Sequence, residues 1–218
     1  VKLGGERISL EELCAAWMGT LEKIFPNNAH PVPVTADVPL WEKRESKAPA
    51  IKVARPRVFI PAFPGTNCEV DSARAFEKAG AETEILVVKN LSVSDIEETI
   101  ERMEKAIRRA QIVMLPGGFS GGDEPDGSAK FITAFFRNAA VKEQVTDLLE
   151  KRDGLMLGVC NGFQALIKLG LVPYGKIMDT DADFPTLTYN VIGRHQSRLV
   201  RTRVCSNKSP WLAGTKVG

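Results

Sequence analysis

Histidine is scarce in this chain, and neither clustered cysteines nor long apolar runs occur in it. His30 and His195 are the two histidines among 218 residues. The four cysteines are scattered without a Cys-x-x-Cys pair, which argues against a zinc site and against a disulfide framework. No apolar run reaches the about 20 residues that a membrane-spanning helix needs. These absences predict no metal site, no membrane association and a cytoplasmic protein with free thiols.

An excess of charge of either sign is missing as well. The chain has 29 basic and 27 acidic residues, a formal net charge of +2 and no basic block. A nucleic-acid partner is therefore not expected. The first residues, Val1–Glu6, form no apolar signal segment and do not include an initiator methionine. We expect the chain to be a fragment of a longer polypeptide.

Composition and periodicity divide the chain into three unequal parts. Residues 1–25 are predicted to contain an amphipathic helix, because apolar residues recur there at three- and four-residue steps. Residues 26–56 are rich in proline, which indicates an extended linker. Residues 57–218 are predicted to form the main domain.

The first helix has a clear start signal. Ser9 and Glu12 have the spacing of a capping box, so the helix is expected to run from Ser9 to Phe25. Its apolar stripe includes Trp17, for which we expect a packing role rather than a ligand-binding one.

The main domain alternates between short apolar runs and helical periodicity. Such alternation predicts an α/β fold with a parallel sheet covered on both faces. Helices are expected over 71–79, from a cap at Ser94, and over 129–152 as one or two helices. The predicted strands lie at 58–60, 84–88, 112–115 and 155–157, with a further alternating strand at 199–204.

Cys160 lies at the tip of a predicted strand-to-helix turn, in Gly158-Val159-Cys160-Asn161-Gly162. This is the sulfur version of the nucleophile elbow found in hydrolases. The positive end of a helix favours a thiolate at this point, and the N–H of Asn161 would donate to a developing oxyanion. The alternative is a small buried hydrophobe at a strand end, which the flanking glycines make less favourable.

Two other loops are expected beside this turn, because parallel strands end at one edge of a sheet. Gly117 and Gly118 expose backbone N–H groups that suit an oxyanion, and no phosphate-loop motif accompanies them. Gln164 lies one helical turn after Cys160, where a substrate contact and a core-edge position are equally supported. Cys68 is expected to be structural. The acidic residues at 123, 124 and 126 are interpreted as a solvated turn rather than as a loop that recognises a cationic group or positions a partner domain.

Three segments together resemble class I, triad-type glutamine amidotransferases. They are Phe63-Pro64-Gly65-Thr66-Asn67-Cys68, Leu115-Pro116-Gly117-Gly118-Phe119-Ser120 with Gly122-Asp123, and Gly158-Val159-Cys160-Asn161-Gly162-Phe163-Gln164. Within that class they are most similar to the glutaminase domains of phosphoribosylformylglycinamidine synthases. The resemblance runs from about Pro56 to the end of the chain. The segment Ile8–Leu13 is similar to the end of the synthetase part in fused forms.

The resemblance implies a fold, a reaction and partners. The fold is a flavodoxin-like three-layer sandwich. Cys160 would attack the side-chain amide of glutamine, with the N–H groups of Gly118 and Asn161 holding the oxyanion. The pocket would be lined by Gly117, Phe119, Gln164 and Asn67. The implied partner is the synthetase part of the same polypeptide, which would use ATP and Mg²⁺ to aminate formylglycinamide ribonucleotide. No cofactor is implied for this chain.

The sequence departs from that family pattern in one respect. The family's catalytic histidine lies in a His-Gly-Glu-Gly type segment, and these 218 residues include none. His195 matches a stretch that precedes that segment, so it is not predicted to be the base. We expect the chain alone to hydrolyse glutamine poorly. Two alternatives remain: a cysteine hydrolase or redox protein of the DJ-1/PfpI type, and a non-catalytic glutaminase-like scaffold.

Overall fold

The computed structural model describes residues 1–24, 38–41, 51–120, 129–187, 190 and 195–218. Two compact units are present, one formed by Ala48–Thr188 and the other by Val1–Lys47 with Tyr189–Gly218. The division of the sequence into 1–25, 26–56 and 57–218 stays a prediction.

The first strand of the larger unit is β3. In chain order the elements of the whole structure are β1 (Lys2–Leu3), β2 (Glu6–Arg7), α1 (Leu10–Gly19), β3 (Arg57–Ala62), α2 (Glu69–Lys78), β4 (Glu82–Val87), α3 (Val93–Arg109), β5 (Ile112–Leu115), α4 (Lys130–Arg137), α5 (Ala139–Glu150), β6 (Leu155–Gly158), α6 (Asn161–Leu169), α7 (Leu171–Tyr174) and a 3₁₀ turn at Pro210–Leu212.

The larger unit is built on a four-stranded sheet in the order β4-β3-β5-β6, with every pairing parallel. Counted along the chain this order is 2-1-3-4, which gives the first four positions of the flavodoxin-like arrangement. The predicted α/β fold with a parallel sheet is confirmed. The four predicted strands are all present within two residues of their expected bounds.

The two faces of the sheet carry separate apolar cores, because successive residues of a strand point to opposite sides. Val58 and Ile60 of β3 pack with Ala73 of α2 on one face. Phe59, between them, belongs to a larger core on the other face, which includes residues of α3, α4, α5 and α6. Helices therefore cover both faces, which gives the three-layer architecture.

Two predictions about this part of the sequence need correction. Helix α3 is capped by Ser92, whose Oγ accepts from the N–H of Asp95 at 3.1 Å, and not by Ser94. The alternating segment 199–204 forms no strand in the structure. Leu199 and Val200 are exposed there, so alternation of residue types did not produce pairing.

The smaller unit contains helix α1. The predicted capping box is present, since Ser9 and Glu12 exchange side-chain to backbone hydrogen bonds of 3.0 Å. The helix ends at Gly19 rather than continuing to Phe25, which lies outside the described residues. No residue of α1 is buried, and Trp17 is 82% exposed, so the packing role expected for Trp17 stays a prediction.

Other parts of the smaller unit are short. Strands β1 and β2 pair antiparallel. Trp41 donates its backbone N–H to the carbonyl of Cys205 at 2.8 Å, and the ammonium of Lys208 lies 3.3 Å from the centre of the Trp41 ring. Across the described ranges of both units, no helix has the length and apolar character needed to cross a membrane.

Candidate active site

The site is formed where three strands of the larger unit end. In the sheet β5 pairs with both β3 and β6, and Leu115 at the end of β5 is the register partner of Gly158 at the end of β6. Because the strands are parallel, the loops that follow them emerge at the same edge. The loops after β3, β5 and β6 are those that carry the motifs found in the sequence.

Cys160 occupies a strained turn between β6 and α6. Its backbone has φ 53° and ψ −112°, a conformation that few residues other than glycine adopt. Holding a side chain there costs about 1–3 kcal/mol, so the surrounding structure must enforce it. The Cys160 thiol is free and its residue is exposed. The strand, turn and helix match the elbow expected from the sequence, and the thiol stands at the N-terminus of α6.

The two glycines of the elbow are required by close backbone contacts. A Cβ on Gly158 would lie 2.5 Å from the carbonyl oxygen of Gly162, and a Cβ on Gly162 would lie 2.0 Å from the carbonyl oxygen of Leu115. Neither glycine has a positive φ. They therefore let α6 press against β5 and β6, while Cys160 itself takes the strained conformation.

The Gly117–Gly118 loop is held against the segment that follows β3. Thr66 and Gly118 form an antiparallel bridge, with hydrogen bonds from Phe119 N–H to Gly65 O at 2.9 Å and from Asn67 N–H to Gly117 O at 3.3 Å. In this bonding pattern the N–H of Gly118 points away from Thr66. Gly118 has φ 133°, and a Cβ there would lie 2.3 Å from Gly65 O. Only glycine fits.

This loop also lies against the nucleophile. A Cβ built on Gly117 would be 3.3 Å from the Cβ of Cys160 and 3.7 Å from the Sγ of Cys68. The structure thus brings Gly117 and Cys160 together, as the sequence predicted. Cys68 is at the same place, where its Sγ donates to Oδ1 of Asn67 at 3.2 Å, and it is exposed rather than buried as a structural thiol would be.

Asn161 connects the elbow to the glycine loop through its side chain, which the sequence did not indicate. Its Oδ1 accepts from the N–H of Ser120 at 3.3 Å, and its Nδ2 donates to Oε1 of Gln164 at 3.3 Å. Nε2 of Gln164 in turn donates to the carbonyl of Leu187 at 3.3 Å. The sequence offered one signal for this role of Asn161: a polar residue stands at the first position of an otherwise apolar helix. Nothing in the sequence pointed to Leu187.

The remaining predicted pocket residues lie around this arrangement. Asn67 lies beside Gly117 through its backbone hydrogen bond. Phe119 is 75% exposed and follows the two glycines directly. Gln164 is half-buried and its amide is engaged by Asn161 and Leu187. Their roles toward a substrate stay predictions.

The larger unit, which holds the site, has no histidine in its sequence. His30 lies outside the described residues, as do the acidic residues at 123, 124 and 126. His195 is exposed and belongs to the smaller unit. Within the described part of the chain, no three His, Cys, Asp or Glu side chains are grouped so that they could hold a metal ion.

A family model described as the CobB/CobQ-like glutamine amidotransferase domain matches residues 55–218. The chain belongs to this family. The glutamine amidotransferase resemblance of the three motif segments is thereby confirmed.

Two curated proteins are similar to this chain over about two thirds of its length. The phosphoribosylformylglycinamidine synthase subunit PurQ of Methanococcus maripaludis is 33% identical over 153 residues, 70% of this chain and 51% of that protein. The same subunit of Dehalococcoides mccartyi is 36% identical over 148 residues, 67% of this chain and 51% of that protein. The chain spans about half the length of these curated relatives. The solved structure of PurLQS from Thermotoga maritima shares 26% identity, with a TM-score of 0.38 over 54% of this chain and 45% of that one.

Proposed function

We propose that this chain supplies the glutaminase reaction of a phosphoribosylformylglycinamidine synthase, and so releases ammonia from glutamine for purine biosynthesis. The observation that carries the proposal is the strained backbone of Cys160 at the tip of the β6–α6 turn, directly against Gly117. A strained, exposed thiol at a helix start is the arrangement of a nucleophile. The family assignment and the PurQ relatives support glutamine as the substrate.

The proposed chemistry begins with the Cys160 sulfur. As a thiolate it attacks the side-chain carbonyl carbon of glutamine, and the carbonyl oxygen takes up the negative charge. The N–H groups of Gly118 and Asn161 donate to that oxygen. The tetrahedral intermediate then collapses with loss of ammonia and leaves a thioester, which water hydrolyses to glutamate and the free thiol.

The four predicted pocket residues would receive the rest of the glutamine molecule. Gly117, Phe119 and Asn67 lie on the two loops that the Thr66–Gly118 bridge joins. Gln164 approaches from α6. We propose that their backbone and side-chain polar groups bind glutamine next to Cys160.

Ammonia departure needs a proton, because an amide anion is a poor leaving group. The chain has no His-Gly-Glu-Gly type segment, and we do not assign His195 as the acid. We therefore propose that these residues alone hydrolyse glutamine slowly, which a measurement of glutamate release against time checks. Glutamate release at the rate of an ordinary amidotransferase would contradict this part of the proposal.

The proposed partner is a synthetase that consumes the ammonia. There, ATP with Mg²⁺ would activate the amide oxygen of formylglycinamide ribonucleotide, which ammonia replaces, so the overall reaction is that of a ligase. No cofactor is proposed for this chain itself. The cytoplasm is the proposed location, in agreement with the four free thiols.

A glutamine-shaped electrophile tests the assignment. We expect 6-diazo-5-oxonorleucine to alkylate Cys160, glutamine to protect it, and Cys160→Ala to abolish the label, as located by peptide mass spectrometry. Cys68→Ala and Cys205→Ala are matched controls that should keep the label. Equal labelling of several cysteines, or a label that glutamine does not reduce, would overturn the proposal and favour a hydrolase or redox protein of the DJ-1/PfpI type. An unlabelled Cys160 would favour the scaffold.

A further inference from the structure

The side chain of Asn161 is buried between the elbow and the glycine loop. The residue is 2% exposed, and its amide makes two contacts that require opposite hydrogen-bonding character. Oδ1 accepts from the N–H of Ser120, while Nδ2 donates to Oε1 of Gln164, both at 3.3 Å. A carboxamide supplies an acceptor and a donor on one rigid plane, whereas a carboxylate only accepts and an aliphatic side chain does neither.

These contacts connect the two backbone donors of the proposed oxyanion site. Ser120 lies two residues after Gly118, on the same short loop. Asn161 carries the second donor on its own backbone. The side chain of the residue that provides one donor therefore holds the loop that provides the other.

Among the described residues, three backbone hydrogen bonds also hold the loop. Phe119 N–H to Gly65 O and Asn67 N–H to Gly117 O tie it to the segment after β3, and Pro116 O at its start accepts from the N–H of Gly162 in α6 at 3.1 Å. Ser120 is 1% exposed, and its Oγ has no hydrogen-bond partner among the described residues. The Ser120 N–H therefore adds a second link between the loop and α6, through the Asn161 side chain, beyond Gly118 in the chain.

We propose that Asn161 is a positioning residue whose side-chain amide fixes the separation of the Gly118 and Asn161 N–H donors, and through Gln164 the adjacent wall of the pocket. This inference rests on the proposed glutaminase function. Removing one oxyanion donor costs about 100- to 1,000-fold in rate, and a displacement of about 1 Å can cost about 100-fold. Loss of the Asn161 amide displaces a donor without removing it, so we expect a loss of about 10- to 100-fold.

Two substitutions separate the contacts. Asn161→Leu has nearly the same size and loses both hydrogen bonds. Asn161→Asp keeps an acceptor for the Ser120 N–H and loses the donor to Gln164. Asn138→Leu is the matched control, because it makes the same change at a distant cap where Asn138 accepts from the N–H of Ala140 at 3.0 Å.

The readout compares two reagents on Cys160. Labelling by 6-diazo-5-oxonorleucine depends on glutamine-like positioning and on a polarised carbonyl, whereas iodoacetamide needs only an accessible thiolate. For Asn161→Leu we expect the maximal rate of inactivation by the glutamine analogue to fall about 10- to 100-fold. The half-saturating concentration of the glutamine analogue should change less, and the rate of alkylation by iodoacetamide should stay within about twofold of that of the unsubstituted chain. The maximal inactivation rate of Asn161→Asp should lie between those of Asn161→Leu and the unsubstituted chain. That of Asn138→Leu should equal the rate of the unsubstituted chain. Equal slowing by both reagents, or no slowing in Asn161→Leu, would overturn the proposal.

Hydrogen exchange at the Ser120 amide tests the positioning contact independently of glutamine chemistry. We expect Asn161→Leu to lower protection of that amide at least about 10-fold, with Asn161→Asp closer to the unsubstituted chain. Unchanged protection in Asn161→Leu would refute the inference even where labelling works. If the unsubstituted chain reacts with iodoacetamide and not with the glutamine analogue, the proposed function fails, and exchange still decides the role of Asn161.

Discussion

Asp147 and Arg152 form an ion pair of 2.8 Å at the end of α5, and Arg152 uses its remaining N–H groups to cap another helix. Its guanidinium donates to the carbonyl groups of Ile107, Arg108 and Ala110, at 2.8–3.0 Å. These carbonyls end α3, where intrahelical donors run out, although the carbonyl of Ile107 also accepts from the N–H of Ala110 at 3.1 Å. Arg152 therefore fastens the C-terminal ends of two helices on the same face of the sheet.

Replacing Arg152 should destabilise the larger unit. Arg152→Met keeps the length of the side chain and removes every donor, which leaves the α3 carbonyls partly unsatisfied. We expect the free energy of unfolding to fall by about 2 kcal/mol. Arg108→Met is the control: Arg108 is exposed and pairs with Glu104, so a change within about 0.5 kcal/mol is expected. Urea unfolding followed by circular dichroism measures both. Equal effects of the two substitutions would contradict the capping role.

The Asp147–Arg152 pair predicts that the stability of the larger unit depends on pH. The hydrogen bond from Arg152 holds the pKa of Asp147 below its usual value near 3.8, with smaller help from Lys151 and against the opposing effect of burial. The folded chain therefore binds this proton less readily than the unfolded chain. The resulting stabilisation is present above the unfolded pKa and is lost as the pH falls through the lower folded pKa.

Asp147→Asn measures that contribution. We expect the unsubstituted chain to be more stable than Asp147→Asn near neutral pH, and the difference to shrink as the pH falls below 3.8. The control is the same substitution in an Arg152→Met background, where most of the difference should be absent at every pH. If the stability difference between the unsubstituted chain and Asp147→Asn grew as the pH fell, the predicted direction of the pH dependence would be wrong.

The elbow glycines give a prediction about packing. Because a Cβ on Gly162 would lie 2.0 Å from Leu115 O, Gly162→Ala must push α6 away from β5. Overpacking of this kind costs about 1–3 kcal/mol. We expect that loss in urea unfolding, together with slower alkylation of Cys160 by 6-diazo-5-oxonorleucine. Gly19→Ala is the control, since its added methyl meets no atom within 4 Å. Unaltered stability of Gly162→Ala would mean that the two backbones are less closely packed.

Much of the larger unit follows from local sequence. The four parallel strands were predicted because each is a short apolar run between helical segments, and burial on both sheet faces selects such runs. The elbow was predicted because glycines on either side of a cysteine, between strand and helix, have few other uses. Its glycines matter for close packing, however, and the strained φ is that of Cys160.

Other features depend on contacts that the sequence does not encode locally. The stripe of α1 has the periodicity of a buried helix, yet periodicity does not say what partner covers it, and Trp17 is exposed. The segment 199–204 alternates like a strand but forms no strand pairing among the described residues. The Asn161–Ser120 contact joins residues 41 positions apart, and Gln164 reaches Leu187 across 23 positions. No helical or strand spacing predicts contacts of that kind.

The backbone conformation of Cys160 predicts that a side chain at this position lowers the free energy of unfolding. At φ 53° and ψ −112° a side chain is unfavourable by about 1–3 kcal/mol, whereas glycine adopts this region freely. Glycine also lowers the free energy of unfolding by about 0.5–1 kcal/mol relative to alanine, because it has greater freedom in the unfolded chain. The first effect is the larger. The free energy of unfolding of Cys160→Gly should therefore exceed that of Cys160→Ala by about 1 kcal/mol. Urea unfolding measures the difference.

An ordinary helical position supplies the contrast. Ala134 is exposed within α4, where glycine is less favourable than alanine by about 1 kcal/mol. Exchanging alanine for glycine should thus lower stability at 134 and raise it at 160, with both pairs measured under the same conditions. Opposite signs at the two positions would show that the backbone at 160 is strained by the need to present a side chain. A loss at both positions would mean that the turn relaxes once the sulfur is removed, and that the strain resides in the thiol's contacts rather than in the backbone.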